Sequence, residues 1–416
     1  MSQPFSYLQD QLCCGEVRLA DIAARVGTPA YVYSADAIVQ RYREYDEAFG
    51  GVPHQVCYAV KANSNLAILS LLARNGAGFD IVSGGELFRV LKAGGDPRRI
   101  VFSGVGKTEA EIDYALSEGI LSFNCESDAE LDALSRVATR RGREANVALR
   151  VNPDVDAVTH PYISTGLREN KFGIDIAEVE AVYGRAARLP GLALNGVSCH
   201  IGSQLLDTRP LIEALEKVLA LIERLRAAGH PIRHLDVGGG LGVPYQEGES
   251  SPDIGRFVRT VCERAAGRDL EITVEPGRSM VGEAGVLMTQ VLYTKRTTAK
   301  EFVIVDAAMN DLIRPSLYRA YHGILPVTRR DASSMVLADV VGPVCESGDF
   351  LAKDRQMPRM DSGEVLAIAT AGAYGFVQAS NYNTRPRVAE VLVEGSAWRV
   401  VRERESYEDL VRGEVI

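Results

Sequence analysis

Between about residues 55 and 275 the sequence alternates between short apolar segments and longer amphipathic segments. The apolar segments are rich in β-branched and aromatic residues and predict buried strands. The segments between them, such as LAILSLLARNG, show helical spacing and end at glycine. Eight such alternations favour a (β/α)8 TIM-type barrel, with an open doubly wound sheet as the alternative. The predicted strands are VCYAV (56–60), GFDIV (78–82), RIVFS (99–103), ILSFN (120–124), NVALRV (146–151), NGVSCH (195–200), RHLDV (233–237) and EITVE (271–275).

After residue 280 the pattern changes to strands without long helices between them. The strand-like segments are GVLMTQVLYTKR, KEFVIVDA, MVLADVVGP, EVLAIATAGAYGF and RVAEVLVEGSAWRVV, and the N-terminal segment PAYVYS has the same character. We therefore predict two domains. Residues 38–280 form the barrel, and residues 1–37 with 281–416 form a mostly β domain of the β-barrel or sandwich type.

Charge and composition limit the classes of partner. The 416 residues carry a formal net charge of −9 at pH 7 and a pI of about 5.4, which argues against nucleic acids and anionic membranes as main partners. The sequence shows neither a signal peptide nor an apolar run long enough to span a membrane. Seven cysteines without CxxC spacing fit reduced thiols better than a disulfide framework. Together these features predict a cytoplasmic protein.

Lys61 follows the first predicted barrel strand, in the segment YAVKAN. A lysine at the end of a strand can simply hold its ammonium group in water. In a parallel α/β fold, however, the carboxyl ends of the strands converge on the face where such folds place their chemistry. The segments predicted at that face are polar or rich in glycine: Asp80 with SGGE, SGVGKT, NCES, RVNP, HIGSQ, VGGGLG and EPGR.

Common nucleotide, metal and hydrolase motifs do not explain these segments. SGVGKT (103–108) lacks the first glycine of a phosphate-binding P-loop, because position 101 is valine. VGGGLG lacks the last glycine of GxGxxG. The cysteines are not clustered and no metal site is predicted. A serine hydrolase of the α/β type would need a GxSxG elbow, which the chain lacks.

Three further features at strand ends point to one cofactor. Glycines 238–240 and Gly242 leave backbone N–H groups open to a phosphate at the place where TIM barrels often bind one, although a plain tight turn is the alternative. Glu275 can hold a pyridine nitrogen protonated, or can be a solvated carboxylate. His200 can stack on an aromatic ring, or be an ordinary core histidine. With a Schiff-base lysine, these features describe a pyridoxal phosphate site.

The chain resembles the diaminopimelate decarboxylases, members of the alanine-racemase-like (fold type III) pyridoxal phosphate enzymes, which combine a barrel with a β domain. Matching motifs run from residue 58 to 375, and GTPAYVYS and NYNTRPRVAEVLV extend the resemblance over nearly the whole chain. Ornithine and arginine decarboxylases share YAVKAN and EPGR, so HPYISTG with CESGD is the more specific pair. The matching motifs are YAVKAN, FDIVSGGEL, NPDVDAVTHPYISTG, KFGI, HIGSQ, DVGGGLG, EPGR, GPVCESGDF and GAYG.

The resemblance implies that pyridoxal 5'-phosphate is held mainly by the barrel. Lys61 would form the Schiff base, Glu275 would bond the pyridine nitrogen, and His200 would stack on the ring. The other implied cofactor contacts are Asp80, Ser203, Gly239, Gly240, Pro276, Gly277, Arg278 and, from the β domain, Tyr374.

The resemblance also implies a substrate, meso-2,6-diaminopimelate, decarboxylated at its D centre to L-lysine and CO2 in the last step of lysine biosynthesis. Arginine suits a grip on the distal carboxylate because its planar fork bonds both oxygens. Without the resemblance, Arg314 and Tyr318 would be read as a surface pair. Cys345 would donate the proton that replaces CO2, since an ordinary thiol is mostly protonated at neutral pH. The implied substrate contacts are Arg278, Arg314, Tyr318, Glu346 and Tyr374.

In the family, Cys345 and Glu346 come from the partner subunit, which implies an obligate homodimer whose β domain serves both active site and interface. The HPYISTG segment (160–166) is expected to close over substrate. Three other interpretations stay open: a decarboxylase of ornithine, arginine or carboxynorspermidine on the same fold, a non-catalytic cofactor-binding homologue, and a lysine-dependent aldolase. A decarboxylase of those other substrates would not need Arg314 to grip a distal carboxylate. A non-catalytic homologue would not need Cys345, and an aldolase would not need Glu275.

Overall fold

The computed structural model describes residues 3–156, 170–330 and 334–416. The chain divides into two compact units. The barrel unit consists of Val39–Val243 and Ser250–Ser279, and the β unit consists of Met1–Ile38, Pro244–Glu249 and Met280–Ile416. The HPYISTG segment (160–166) lies outside the described residues. Within those residues, no helix is both long enough and apolar enough to cross a membrane.

The strands are short, as is usual for a closed barrel and a twisted sheet. In chain order they are β1 (Phe5–Leu8), β2 (Gln11–Cys14), β3 (Val17–Arg18), β4 (Ala30–Ser34), β5 (His54–Ala59), β6 (Gly78–Ile81), β7 (Ile100–Phe102), β8 (Ser122–Cys125), β9 (Ala145–Asn152), β10 (Ile174–Asp175), β11 (Leu192–Cys199), β12 (His234–Asp236), β13 (Glu271–Val274), β14 (Gly285–Arg296), β15 (Glu301–Val305), β16 (Ile324–Pro326), β17 (Met335–Val341), β18 (Phe350–Pro358), β19 (Val365–Ile368), β20 (Ala389–Glu394) and β21 (Ala397–Arg402).

The longer helices belong to the barrel unit. In chain order the helices are α1 (Leu19–Val26), α2 (Ala35–Ala48), α3 (Leu66–Arg74), α4 (Gly84–Lys92), α5 (Glu109–Glu118), α6 (Asp128–Arg141), α7 (Val179–Ala186), α8 (Arg209–Ala227), α9 (Ile254–Ala265), α10 (Arg278–Val281), α11 (Arg314–Tyr318) and α12 (Tyr407–Leu410).

The barrel unit is a closed ring of eight parallel strands. Their order is β9-β11-β12-β13-β5-β6-β7-β8, and the pairing of β8 with β9 closes the ring. The strands are buried on both sides, which explains why they read as continuous apolar runs in the sequence. The predicted TIM-type barrel is therefore confirmed, and the open sheet is excluded by the closure. The short strand β10 adds to β9 in parallel.

Helix caps explain the polar segments that follow several barrel strands. Ser83, from the SGGE segment after β6, caps α4 by accepting a hydrogen bond from the backbone N–H of Glu86. Thr108 forms a capping box with Glu111 at the start of α5. Part of the polar character at the strand ends is therefore structural.

Lys107, in the segment SGVGKT, is buried rather than open to a phosphate. Its side chain is 1% exposed, and its Nζ lies 2.6 Å from Oε1 of Glu130. Nζ also donates to the carbonyl oxygens of Gly104 and Asn124. The segment is a barrel loop tied down by a buried ion pair, which agrees with the rejection of a P-loop.

The β unit contains a large mixed sheet and a small antiparallel one. The large sheet runs β18-β17-β15-β14-β4-β20-β21, with β19 pairing β14 and β16. Strand β4, the PAYVYS segment, lies between β14, which is antiparallel to it, and β20, which is parallel. Strands β1 to β3 form the small sheet. The predicted mostly β character is confirmed.

Candidate active site

The first strand-end feature of the barrel unit is a lysine beside a buried aspartate. Lys61 lies in a short 3-10 helix, Val60–Ala62, which begins directly after β5. Its Nζ donates to Oδ2 of Asp80 at 2.5 Å. Asp80 lies in β6 and is fully buried. Oδ1 of Asp80 is buried and has no hydrogen-bond partner among the described residues. The amine is thus held at the strand ends rather than in bulk water.

The turn that carries Lys61 is fixed by its neighbours. Tyr58, at the end of β5, donates its hydroxyl proton to the carbonyl oxygen of Asn63 at 2.9 Å. The side chain of Asn63 accepts from the backbone N–H of Asn65, which in turn caps α3. The YAVKAN segment therefore folds locally into one rigid connection that aims the lysine.

The glycine segment after β12 approaches two other strand ends very closely. A Cβ atom on Gly239 would lie 2.3 Å from the carbonyl oxygen of Glu275. Gly240 has a φ of +123°, and a Cβ there would lie 2.8 Å from the carbonyl oxygen of Gly202. Only glycine fits both positions. The close approach leaves a concave stretch of backbone, which is the kind of surface that binds phosphate.

His200 follows β11 and is held in one tautomer. The backbone N–H of Gly239 donates to Nδ1 of His200 at 3.2 Å, so the ring proton resides on Nε2. Burial, together with the nearby charges of Arg150 and Lys61, holds the pKa of His200 well below its ordinary value. The side chain is therefore a neutral, flat ring, which suits stacking against an aromatic cofactor.

Glu275 follows β13 and lies in a buried acid cluster. Its Oε1 accepts from the hydroxyl of Ser103 and from Nδ2 of Asn124, both at 3.2 Å. Burial is the main cause that raises the pKa of Glu275 well above its ordinary value, and the charges of Asp236 and Asp80 add to it. A buried carboxyl group of this kind is suited to a positively charged ring nitrogen.

The remaining barrel residues lie on the loops beside these groups. Arg278 is 5% exposed and donates to Oγ of Ser203 from Nε at 3.4 Å and from Nη2 at 3.1 Å. The carbonyl oxygen of Pro276 accepts from the backbone N–H of Ala59 at 3.0 Å. A Cβ on Gly277 would lie 3.1 Å from the Cβ of Ala59. EPGR thus packs directly against the strand that leads to the lysine.

In the β unit, Arg314 and Tyr318 lie on the short helix α11. Arg314 is 6% exposed, and its guanidinium lies 5.9 Å from the ring centroid of Tyr318 and 4.9 Å from that of Tyr245. Nε of Arg314 donates to Nε2 of His322, whose Nδ1 bonds the carbonyl oxygen of Ala369. A buried arginine oriented by an imidazole and two aromatic rings is built to receive an anion.

The other predicted residues of the β unit occupy loops. Cys345 is an exposed free thiol whose backbone N–H donates to Oδ1 of Asn383. Oε2 of Glu346 accepts from the hydroxyl of Tyr382 at 2.7 Å. Tyr374 has a φ of +56°, a conformation that a tyrosine rarely adopts and that is typical of functional loops.

The barrel residues fit pyridoxal phosphate by their chemistry. A primary amine, a neutral imidazole, a buried carboxyl group and a glycine backbone cradle lie at the ends of neighbouring strands. The unpartnered Oδ1 of Asp80 is a further buried acceptor next to the amine. These groups match, in kind, the aldehyde, ring, ring nitrogen and phosphate of that cofactor.

Comparison with known proteins assigns the family. Residues 35–282 match a family described as pyridoxal-dependent decarboxylase, pyridoxal binding domain. The chain is 58% identical over 410 residues to the diaminopimelate decarboxylase of Pseudomonas aeruginosa. The aligned region covers 99% of this chain and 98% of that protein. This chain belongs to the diaminopimelate decarboxylase family. The predicted resemblance and the enzyme class, a carboxy-lyase, are confirmed.

Solved structures of diaminopimelate decarboxylases share the fold over nearly the whole length. The enzyme from Helicobacter pylori complexed with L-lysine is 48% identical, with a TM-score of 0.91 over 94% of this chain and 98% of that chain. The enzyme from M. jannaschii in co-complex with L-lysine is 37% identical, with a TM-score of 0.94 over 99% of this chain and 98% of that chain. The combination of barrel and β unit is therefore common to these decarboxylases.

Several residues of these clusters were not evident from the sequence. Tyr245 is far in sequence from Arg314, whereas His322 is only eight residues from it, and no local pattern marks either residue. Asp236 begins the segment DVGGGLG. Its position two residues before the first glycine was the one feature of the sequence that could have marked it.

Histidine spacing gives no metal site in the part of the chain that the structure describes. His230 and His234 are four residues apart, but His230 contacts the ring of Tyr183, and His234 pairs with Glu271. Among the described residues, no group of three or more potential ligands is placed to hold a metal ion.

Proposed function

We propose that this decarboxylase acts on meso-2,6-diaminopimelate with pyridoxal 5'-phosphate, removes the carboxylate of the D centre, and releases L-lysine and CO2 as the last step of lysine biosynthesis in the cytoplasm. The observation that carries the proposal is the contact between Lys61 and Asp80 at the strand ends, next to a neutral His200 and a buried Glu275. Diaminopimelate decarboxylases of high identity over the full length support the choice of substrate.

The barrel residues divide the work of holding the cofactor. Lys61 supplies the amine for the Schiff base, and Asp80 is positioned to hold a proton at that amine through a short charge-assisted hydrogen bond. His200 presents a flat neutral ring that would stack on the cofactor, and Glu275 would bond its ring nitrogen. When bound, pyridoxal phosphate supplies an electron sink for the charge that remains at Cα after CO2 leaves.

The phosphate group is proposed to lie on backbone rather than on a cationic side chain. Gly239 and Gly240 carry no side chain that would separate their backbone from an anion, and Gly277 packs on the strand that leads to Lys61. Ser203, held by Arg278, borders the same loops. Pro276 fixes the EPGR turn through its carbonyl oxygen.

We propose that the distal part of the substrate is recognised by Arg278 and by residues of the β unit. Arg314 offers a planar fork whose direction is set by His322 and Tyr318, which suits a carboxylate. Tyr374 is proposed to contact both cofactor and substrate. A substrate without a distal carboxylate would not use this fork.

The proton that replaces CO2 is proposed to come from Cys345. Its thiol is exposed on its own subunit, as expected for a group that serves a neighbouring one. Glu346, next to it, is proposed to pair with the substrate's second ammonium group. Both residues would be supplied by the partner subunit of a homodimer, so that each active site is shared.

Product analysis tests the substrate and the reacting centre together. Purified protein with pyridoxal phosphate is incubated with meso-diaminopimelate, ornithine, arginine and carboxynorspermidine, and the amines are separated on a chiral column. We expect L-lysine from the first substrate alone. D-lysine would show that the reaction takes place at the L centre. An amine formed from another substrate would contradict the proposed recognition of a distal carboxylate.

Cofactor attachment is tested by borohydride reduction followed by peptide mass analysis. We expect a single pyridoxyl label on Lys61, and none in Lys61→Ala. A labelled lysine elsewhere, or no label, contradicts the proposed cofactor site.

Shared active sites are tested by mixing two inactive variants. Lys61→Ala and Cys345→Ala dimers, each inactive, are dissociated and reassociated together. If each site uses Lys61 from one subunit and Cys345 from the other, a statistical mixture regains about a quarter of wild-type activity. A mixture that stays inactive while forming mixed dimers contradicts shared sites.

A further inference from the structure

Another buried carboxyl group of the barrel unit, that of Asp236, lies beside Glu275. Asp236 ends β12 and is 5% exposed, and Glu275 follows β13 and is 8% exposed. Nδ2 of Asn124 donates to Oδ2 of Asp236 at 2.9 Å and to Oε1 of Glu275 at 3.2 Å. The two buried acids thus share one amide donor.

Two buried carboxyl groups that share one donor lie close together, and burial together with the charge of Asp236 raises the pKa of Glu275 well above its ordinary value. Two buried carboxylates in contact repel strongly, so such a pair titrates in two separate steps and keeps one proton over a wide pH range. Burial raises the pKa of Asp236 as well, so the pair holds a proton more readily than two exposed carboxylates would. One member of such a pair keeps the proton and the other keeps the negative charge.

The hydrogen bonds favour charge on Asp236. Its Oδ1 accepts from the backbone N–H of Gly238 at 2.8 Å, and its Oδ2 accepts from Asn124. Both bonds stabilise the ionised form, because a carboxylate accepts and does not donate. Among the described residues, the donors to the carboxyl group of Glu275 are Ser103 and Asn124, both at 3.2 Å. The proton of the pair consequently resides mainly on Glu275.

Asp236 also lines a small polar cavity, and Glu275 is not among the residues of its lining. The cavity has a volume of about 40 Å³, enough for two to four water molecules. Its polar lining includes Asn124, Asn146, Asn195, Asp236 and Thr273. Oδ1 of Asn124 is buried without a hydrogen-bond partner among the described residues, which is the situation that buried water resolves. The polar surroundings of Asp236 therefore favour its ionised form more than those of Glu275 do.

Other charged or titratable groups lie near Glu275, and they do not replace Asp236. The charge of Asp80 acts in the same direction as that of Asp236 but more weakly, and Lys61 acts in the opposite direction. Asp80 already bonds Lys61, so these two largely offset each other. The thiols of Cys57 and Cys199 are fully protonated, because burial raises the pKa of each. The groups that face Glu275 from the surrounding strands are thus Asp236, Asp80, Lys61, Cys57 and Cys199.

We propose that Asp236 is a positioning residue that acts through Glu275: its negative charge, directly behind Glu275, favours a protonated and positively charged ring nitrogen in a cofactor that Glu275 bonds. The inference rests on the proposed cofactor site. When the cofactor binds, Glu275 would give the proton of the pair to the ring nitrogen, so that the O–H bond on Glu275 would break, the N–H bond would form and the total charge would be unchanged. Asp236 would then remain ionised behind Glu275, and its charge would oppose the loss of that proton from the site.

The first arm of the test uses the cofactor-free protein. The pair binds a proton more tightly in the folded than in the unfolded chain, so its contribution to stability is present at low pH and lost as pH rises through its titration. We expect Asp236→Asn to melt at a higher temperature than wild type above neutral pH, with a difference that shrinks toward pH 5. In a Glu275→Gln background the same change should have a much smaller pH-dependent effect. If the melting temperatures of Asp236→Asn and wild type depend on pH in the same way, Asp236 and Glu275 do not titrate as a coupled pair.

The second arm uses the holoenzyme with cofactor labelled with 15N at the ring nitrogen. The 15N chemical shift reports ring protonation directly and does not depend on turnover. We expect Asp236→Asn to lower the pH at which the ring nitrogen loses its proton by at least about one pH unit, a tenfold change in proton affinity. Ser122→Ala, which alters the same cavity without touching either carboxyl group, should leave this midpoint unchanged. An unchanged midpoint in Asp236→Asn overturns the proposal.

The two arms separate this inference from the proposed function. If wild-type protein forms no Schiff base, the cofactor site fails, but the melting arm still tests the acid pair. If the cofactor binds and Asp236→Asn does not change the pH midpoint of ring protonation, the proposed role of Asp236 is contradicted and the cofactor site is still supported. If Asp236→Asn does not fold, Glu275→Gln removes the other carboxyl group of the pair. The melting temperature of Glu275→Gln should then no longer fall at high pH as that of wild type does.

Discussion

Gly239 and Glu275 approach so closely that a Cβ on Gly239 would lie 2.3 Å from the carbonyl oxygen of Glu275. Gly239→Ala must therefore displace one of the two strand-end loops that border the proposed phosphate site. We expect cofactor affinity to fall at least about tenfold, or ~1.4 kcal/mol. Titration of the cofactor-free variant with pyridoxal phosphate, followed by absorbance, measures this.

The control for this prediction is Gly106→Ala in another barrel loop. A Cβ at Gly106 would meet nothing within 4 Å. The control should bind cofactor like wild type. If Gly239→Ala did so as well, the backbone cradle would not be the phosphate site.

The direction of the Arg314 side chain is the second relationship open to test. His322 is fully buried and accepts from Nε of Arg314, and Tyr245 and Tyr318 flank the guanidinium. Arg314→Lys keeps the charge but loses the planar fork, so we expect KM for diaminopimelate to rise about tenfold or more with little change in cofactor affinity. His322→Phe, which removes the acceptor, should raise KM by a smaller factor.

A matched control exists within the β unit. Arg329 also lies over an aromatic ring, that of Tyr7, at 4.4 Å, but it is exposed. Arg329→Lys should leave KM unchanged. A normal KM for Arg314→Lys would remove Arg314 from the substrate site.

The sequence predicted the barrel well because its strands are buried on both faces. Continuous apolar runs such as VCYAV and NVALRV follow from that burial, and the chain closes them into the ring that eight alternations require. Lys61, Asp80, His200 and Glu275 could be found because the carboxyl end of each parallel strand is a known place for chemistry.

What the sequence did not reveal depends on contacts between distant segments. Strand β18 was not evident, because it carries Lys353, Asp354 and Arg355 in succession and lacks an alternating pattern. The contact of Tyr245 with Arg314 and the proximity of Asp236 to Glu275 arise only when separate segments meet. Physical rules name the candidate groups, but packing decides which of them act together.

The buried ion pair between Lys107 and Glu130 predicts a large effect on stability. The two side chains are 1% and 7% exposed and lie 2.6 Å apart. Lys107→Met leaves the Glu130 carboxylate buried without its counter-charge, which should cost about 3–5 kcal/mol. Adding Glu130→Gln should recover part of this loss. Thermal unfolding of the two variants tests the prediction.

Arg98→Met provides the contrast for that experiment. Arg98 forms an ion pair with Asp96, but its side chain is 83% exposed. Its loss should change the melting temperature little, because exposed pairs are screened by water. Equal effects at Lys107 and Arg98 would contradict the structural role of the buried pair.

Asp311, in the β unit, predicts a pH dependence of stability. Its side chain is 1% exposed, and burial raises the pKa of Asp311 from 3.8 to about 6 despite a hydrogen bond from the backbone N–H of Ala308. A raised pKa in the folded state means that the contribution of Asp311 is fully present below about pH 3.8 and is lost as pH rises through about 6. The difference between the two values corresponds to roughly 3 kcal/mol. We therefore expect Asp311→Asn to gain melting temperature relative to wild type between pH 4 and pH 7, because the amide stays neutral where the carboxyl group must ionise. A difference between variant and wild type that does not change over this range would show that Asp311 is not a buried acid of this kind.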